Sequence, residues 1–347
     1  MKKRLNIEFF LTLIVIFLCL SIVYVYARER YATAHSGSSD AVNNVSSSGS
    51  GNLEPPRFNP HYSEHSNDSV LVNHLKADFV GLYDGHIVRL NVTTLSINSD
   101  GFRDRNFSVE KPNNTVRIMA LGDSFVFGLG VELNDSFPKQ LESLLNGKKL
   151  GYNYEVLNFG VPGYNTKQEV EMLKEKGLKY KPDIVILGYL GNDILNANFD
   201  YTLIHKTFSK VQTNPDAVNF TRYVEQLLNS YENEINQAYE NIGFEEAWQE
   251  VAIPLAELRN LSEQMNFSVI ILFYDCSNGP FFKEQTQELE LLSKNNGWLF
   301  INLHDINQRE GPAQIQLSKW DGHPTAYANR LYAKYTFEEL KEEGIIN

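Results

Sequence analysis

Residues 121–131 read LGDSFVFGLGV and directly follow TVRIMA, residues 115–120. A short apolar run of that kind reads as a strand buried on both faces. Leaving it through Gly-Asp-Ser, with two more glycines close behind, describes a tight strand-to-helix turn that lifts a polar side chain above a sheet. Ser124 is that side chain. Whether it does chemistry depends on what the other strand ends supply.

From residue 115 onward apolar runs alternate with amphipathic stretches. YEVLN (154–158), DIVILGY (183–189), FSVIILFY (267–274) and WLFINL (298–303) read as further buried strands. Phe137, Leu141, Leu144 and Leu145 recur at helical spacing, as do Ala328, Leu331, Tyr332 and Tyr335. This alternation predicts an α/β fold, a parallel sheet of about five strands with helices on both faces. Ligands in such sheets bind beyond the carboxyl ends of the strands.

Four candidate segments stand at such ends. They are Gly122-Asp123-Ser124, Asn158-Phe159-Gly160-Val161-Pro162-Gly163, Gly191-Asn192-Asp193 and, before the last helix, Trp320-Asp321-Gly322-His323-Pro324. Together they offer what acyl transfer requires. A serine hydroxyl needs an imidazole to take its proton. The tetrahedral intermediate needs donors aimed at its oxyanion. The backbone N–H groups of Ser124 and Gly163 and the side-chain amide of Asn192 are the candidate donors. Asp321 is the nearest carboxylate that would orient His323. Asp123 and Asp193 are expected to hold their loops through backbone hydrogen bonds.

These segments, taken in order, resemble the blocks of the SGNH hydrolases, also called the GDSL esterase/lipase superfamily, over roughly residues 95–340. GDS at 122–124 resembles the nucleophile block and NFGVPG the second block, whose last glycine corresponds to Gly163. GND at 191–193 resembles the third block, and DGHP at 321–324 the last. The resemblance implies a flavodoxin-like three-layer α/β/α sandwich and catalysis by Ser124 and His323 without a metal or other cofactor. Phe125 stands where the name-giving leucine would be. Asp321 lies two residues before His323, where the family spacing is three and Trp320 occupies that place, so Asp321 or a backbone carbonyl orients the ring. Thr325 replaces an asparagine often seen after His-Pro.

The N-terminal third is organised differently. Phe9–Ala27 is an uncharged apolar run preceded by Lys2, Lys3 and Arg4. It is long enough for a hydrocarbon core of about 30 Å. It is expected to be a membrane anchor with the N-terminus inside and the catalytic domain extracytoplasmic, or a signal peptide whose cleavage releases a secreted domain. Residues 31–61 read as a Ser/Gly/Asn-rich linker and 62–114 as a small β-rich extension. Residues 115–347 form the catalytic domain, with an insertion at about 196–250. The chain carries −12 overall, and −15 over residues 31–347, which makes nucleic acid a poor partner. Nine Asn-X-Ser/Thr sequons fit an exported glycoprotein. Cys276, the one cysteine outside the apolar run, has no second thiol for an internal disulfide.

Gly128 and Gly130 do not complete a nucleotide-binding pattern, since no Gly-Lys-Ser/Thr follows. His304 is the rival base, read more simply as the end of its strand. His61, His65, His74 and His86 show no metal-ligand rhythm. NSDGFRDR at 98–105 brings Arg103 and Arg105 shortly before the nucleophile strand, with Arg103 expected to meet an acidic group. Three functions fit this sequence. One is an acyl or acetyl esterase acting on a small-molecule or glycan ester. The second is an O-acyltransferase using the same serine. The third is a cell-surface binding protein with a vestigial site.

Overall fold

The computed structural model describes residues 62–66, 68, 70–71, 73–83, 93–148, 150–194, 242–274, 280–318 and 321–346. The apolar run at 9–27, the linker at 31–61 and most of the expected insertion lie outside the described residues. Among the described residues no helix is long and apolar enough to cross a membrane.

Before the main sheet, β1 (Ser63–His65) pairs antiparallel with β2 (Asn73–Leu75), and β3 (Val80–Tyr83) with β4 (Thr93–Ser96). The inward side chains Leu75, Tyr83 and Leu95 join the core of the main domain. The catalytic part then runs β5 (Thr115–Gly122), α1 (Ser124–Phe127), α2 (Phe137–Gly147), β6 (Asn153–Gly160), α3 (Thr166–Met172) and β7 (Ile184–Tyr189). It continues through α4 (Phe244–Met265), β8 (Ser268–Phe273), α5 (Pro280–Asn296), β9 (Leu299–Asn302), α6 (His304–Glu310) and α7 (Pro312–Ile315). It ends with β10 (Gln316–Ser318), β11 (Asp321–Pro324) and α8 (Ala326–Glu342). Residues 244–250, the end of the expected insertion, are the first turns of α4.

The five expected strands form one parallel sheet in the order β6-β5-β7-β8-β9. The first strand therefore lies between the second and third, the flavodoxin-like order whose switch point falls beside β5. Side chains alternate across the sheet. Ile118 and Ala120 face the layer that holds α2 and α8, while Met119 and Leu121 face α3, α4 and α5. Each face buries an apolar layer, which is why the strand sequences lack an alternating polar pattern.

The register levels three strand ends. Gly122 of β5 is paired with Gly160 of β6 and with Gly188 of β7. Helix α1 lies on these glycines. A Cβ on Gly122 would stand 2.2 Å from Val126 Cγ2, and one on Gly188 2.5 Å from the same atom. A Cβ on Gly160 would stand 2.2 Å from the backbone N of Phe127. Because that neighbour is backbone, no rotamer change relieves it. Gly160→Ala is expected to cost about 1–3 kcal/mol of stability, as overpacking does, and to lower kcat by displacing α1. Gly147→Ala, with open space around it, is expected to leave both unchanged. Thermal melts and ester turnover of the two variants check this, and equal behaviour would contradict it.

Candidate active site

Asp123 begins the turn above the glycines. Its Oδ1 accepts from the Phe125 N–H at 2.8 Å, capping α1 and fixing the residue on either side of Ser124. Gly128 ends the helix at φ 78°, and a Cβ there would meet Ser136 Cβ at 2.6 Å. Gly130, at φ 80°, leaves room for Leu317 of β10, whose Cδ1 would lie 2.3 Å from an added Cβ. The two glycines thus let the loop after α1 turn tightly and seat the β10–β11 hairpin against it.

That hairpin carries His323. β10 and β11 pair antiparallel, with Gln316 opposite Pro324. Thr325 caps the following helix, its Oγ1 accepting from Ala328 N–H at 3.1 Å. His323 Nε2 lies 2.8 Å from Ser124 Oγ, across 199 residues of sequence. Its ring packs 5.4 Å from that of Phe125, and only 7% of the residue is exposed. Asp123 Oδ2 is a longer partner for the serine hydroxyl, at 3.5 Å. Asp321 opens β11, and its side chain lies outside the described residues, as does Trp320. His304 opens α6 after β9, the strand farthest from β6, and its backbone N–H donates to Asn302 Oδ1 at 2.9 Å.

Gly163 and Asn192 follow strands whose ends are level with Gly122. Gly163 is exposed, at φ 83°, with nothing near a built Cβ. The next turn is fixed by a capping box, in which Asn165 Oδ1 accepts from Gln168 N–H and Gln168 Oε1 from Asn165 N–H. Asn192 lies in the 3-10 turn Gly191–Ile194, half-buried, its Oδ1 enclosed without a partner. Neither the N–H groups of Ser124 and Gly163 nor the Asn192 amide nitrogen is hydrogen-bonded to another described residue.

Three carboxyls lie behind this site. Asp123 is 3% exposed, and burial pushes its carboxyl up to about 6, against the Phe125 N–H, the His323 charge and the Ser124 hydroxyl, which pull it down. Asp193, fully buried, accepts from Thr166 Oγ1 at 2.9 Å and, as expected for a loop-holding residue, meets the backbone of Leu190. Burial first and the Asp123 charge second push its carboxyl well above the ordinary range. Glu169, one turn beyond Thr166 on α3, is equally enclosed, with neither oxygen hydrogen-bonded to another described residue. Burial, then the charges of Asp193 and Asp123, raise it likewise. Nothing in the sequence marks Glu169, a charged residue in an otherwise ordinary helical stretch. Among the described residues no group of three or more His, Cys, Asp or Glu side chains is arranged to hold a metal ion.

The level strand ends, the serine turn and its imidazole together define an α/β protein with a Ser–His pair at the carboxyl ends of a doubly wound parallel sheet. The chain belongs to the GDSL-like lipase/acylhydrolase family, whose model matches residues 118–336, and it is an ester-bond hydrolase of that family. No curated protein matches it by sequence. Several solved structures are similar in fold. A psychrotrophic esterase, EstA from Pseudoalteromonas sp., is 15% identical, with 67% of this chain and 98% of that one covered and a TM-score of 0.42. A lipase/acylhydrolase from Enterococcus faecalis is 15% identical, with coverages of 66% and 96% and a TM-score of 0.40. A variant of Axe2, an acetyl-xylooligosaccharide esterase from Geobacillus Stearmophilus, is 14% identical, with coverages of 65% and 94% and a TM-score of 0.43.

The carboxyl group yields a stability prediction. Folding raises the proton affinity of Asp123, Asp193 and Glu169, so their contribution is fully present below the unfolded carboxylate range. It is lost as pH rises through about 6 and beyond. Glu169→Gln removes one ionisation without changing the shape. The decline in Tm above pH 6 is therefore expected to be shallower in the variant. Parallel Tm-against-pH curves would contradict the assignment.

Proposed function

We propose that the protein is a serine esterase in which Ser124 is the nucleophile and His323 the general base, acting on short acyl esters such as acetyl groups on a small molecule or glycan. The observation that carries this reading is the 2.8 Å approach of His323 Nε2 to Ser124 Oγ. In this mechanism Nε2 takes the hydroxyl proton as Oγ attacks the ester carbonyl. The tetrahedral oxyanion is received by the N–H groups of Ser124 and Gly163 and the Asn192 amide, three donors without a competing partner among the described residues. Nε2 then returns the proton to the leaving alcohol, and water, deprotonated by the same nitrogen, releases the acid. In the same reading Asp321 holds the imidazole in the tautomer that leaves Nε2 free to accept. Ser124 is only 9% exposed, which favours a small acyl group.

The test is release of acid from p-nitrophenyl acetate, with and without an acceptor sugar. Parent enzyme is expected to release acid at the same yield in both. Diversion of the acetyl group to the sugar would make it a transferase instead, and no turnover in either would leave a binding protein. Ser124→Ala and His323→Ala are each expected to abolish nearly all turnover. The double variant should be scarcely worse, because the two act as one unit. Turnover that survives in His323→Ala would remove it as the base and promote His304.

Two further substitutions separate the supporting roles. Asn192→Ala is expected to lower kcat by about 10²–10³, the cost of one oxyanion donor, and unchanged activity would remove it from the mechanism. Asp321→Asn is expected to cost about 10⁴ if that carboxylate sets the tautomer. A loss of about tenfold or less would assign the role to a backbone carbonyl.

A further inference from the structure

Arg103 is 1% exposed, yet no carboxylate meets it among the described residues. Its guanidinium instead collects backbone carbonyls. Nη1 donates to Phe127 O at 3.0 Å and to Gly128 O at 2.5 Å; Nη2 donates to Val131 O at 2.6 Å and Thr94 O at 3.4 Å. Phe127 and Gly128 are the last turn and the cap of the nucleophile helix. A helix that stops at a left-handed glycine leaves such carbonyls without intrahelical partners. Burying a cation that no carboxylate contacts directly is costly: burial lowers this guanidinium to about 10, against the more distant Glu132 charge that raises it, and it is still charged at neutral pH. A solvent-exposed turn would not need it.

The segment around Arg103 is built to hold it there. Asn98 Oδ1 accepts from the N–H groups of Asp100 and Phe102, and Asn98 Nδ2 donates to Arg105 O. Phe102 stacks on Phe159 of β6 at 3.8 Å between ring centroids. Asp104 Oδ2 accepts from Asn158 N–H at 3.0 Å and is paired with Lys139 at 2.8 Å. Asn158 in turn donates from Nδ2 to Phe127 O, the carbonyl Arg103 also binds, and accepts from Gly160 N–H. One short segment thus ties the carbonyl end of α1 to the strand that leads to Gly163.

We propose that Arg103 is a positioning residue for the reaction, its planar fork fixing the carbonyl end of α1 and thereby the direction of Ser124 Oγ relative to His323 and the oxyanion donors. The inference rests on Ser124 being the nucleophile. Lysine carries the charge but not the fork, so geometry rather than charge is what Arg103→Lys removes, whereas Arg103→Gln removes both.

Arg117 supplies the control. It is as buried as Arg103 and also binds carbonyls, those of Val109, Tyr180 and Ser108, but it does so at the amino end of β5 and is paired with Glu155. The experiment compares Arg103→Lys, Arg103→Gln and Arg117→Lys in the full chain, well below each Tm. It measures kcat and KM on p-nitrophenyl acetate and the rate at which an alkyl p-nitrophenyl phosphonate labels Ser124. Both Arg103 variants are expected to lose about 10–100-fold in kcat and labelling rate with KM little changed, the scale of a displacement of about 1 Å. Arg117→Lys is expected to lose Tm while labelling at the parent rate. The proposal is overturned if labelling in the Arg103 variants equals the parent, or if losses in all three follow Tm alone. It is also overturned if neither Arg103 variant folds while Arg117→Lys does, since Arg103 is then a determinant of the fold. Absence of label at Ser124 in the parent would instead sink the esterase reading itself, and this inference with it.

Discussion

Val126 touches the space above two strand ends at once: a single added carbon on Gly122 or Gly188 would fall within 2.5 Å of its Cγ2. That seating of α1 onto bare backbone is the constraint on which the site depends. A short helix has too few internal hydrogen bonds to stand alone. Here it is held by burial from below and by carbonyl partners from the side. Its height above the sheet is set by glycines from three different strands. Because those strands are in parallel register at Gly122, Gly160 and Gly188, the loops that follow rise from one level. The serine, Gly163 and Asn192 are two, three and four residues beyond that line.

Polar support surrounds this apolar seat, and it is distributed by charge. On the α3 side, Asp123, Asp193 and Glu169 crowd three acids together, where burial raises the proton affinity of each and the neighbouring acids raise it further at Asp193 and Glu169. On the side of the N-terminal extension, Arg103 puts a cation against carbonyl oxygens. The raised proton affinity of Glu169 and Asp193 disfavours a second and third negative charge beside Ser124, while Asp123 makes one directed contact, the cap on Phe125 N–H. Burial first, and then the charges of Asp193 and Asp123, is the physical reason the proton affinity of Glu169 is raised.

Much of the architecture was legible because it rests on local pattern. Each of the five apolar runs became a strand of the sheet, since strands buried on both faces must be apolar throughout. The helices at Phe137 and Ala326 follow from their spacing. Ser124 and His323 were legible as partners only through the order of four motifs at strand ends, since nothing within either motif points to the other. The roles of Gly160 and Gly188 were not visible, because a glycine needed for close approach looks the same in sequence as one needed for a turn. Arg103 was misread for a similar reason. An arginine in a polar stretch suggests a carboxylate partner, whereas its real partners are main-chain oxygens, which have no sequence signature. Glu169 had none either, because its state follows from neighbours brought together by tertiary packing.

The position of His323 follows from the same glycines by a longer route. His323 belongs to a hairpin with strands of only three and four residues, too short to be stable by itself. Leu317, opposite face to face with the loop after α1, closes against Gly130 where no side chain obstructs it. Thr325 then starts α8, whose Ala328, Tyr332 and Ala333 bury into the layer shared with α2. The imidazole is thus held between a loop anchored at the first strand and a helix that packs on the second layer. The 2.8 Å contact with Ser124 forms only once chain segments 199 residues apart have both docked on the sheet. Glycines 128 and 130 therefore do more than end a helix. By thinning the loop on the serine side, they set how closely the histidine side can approach.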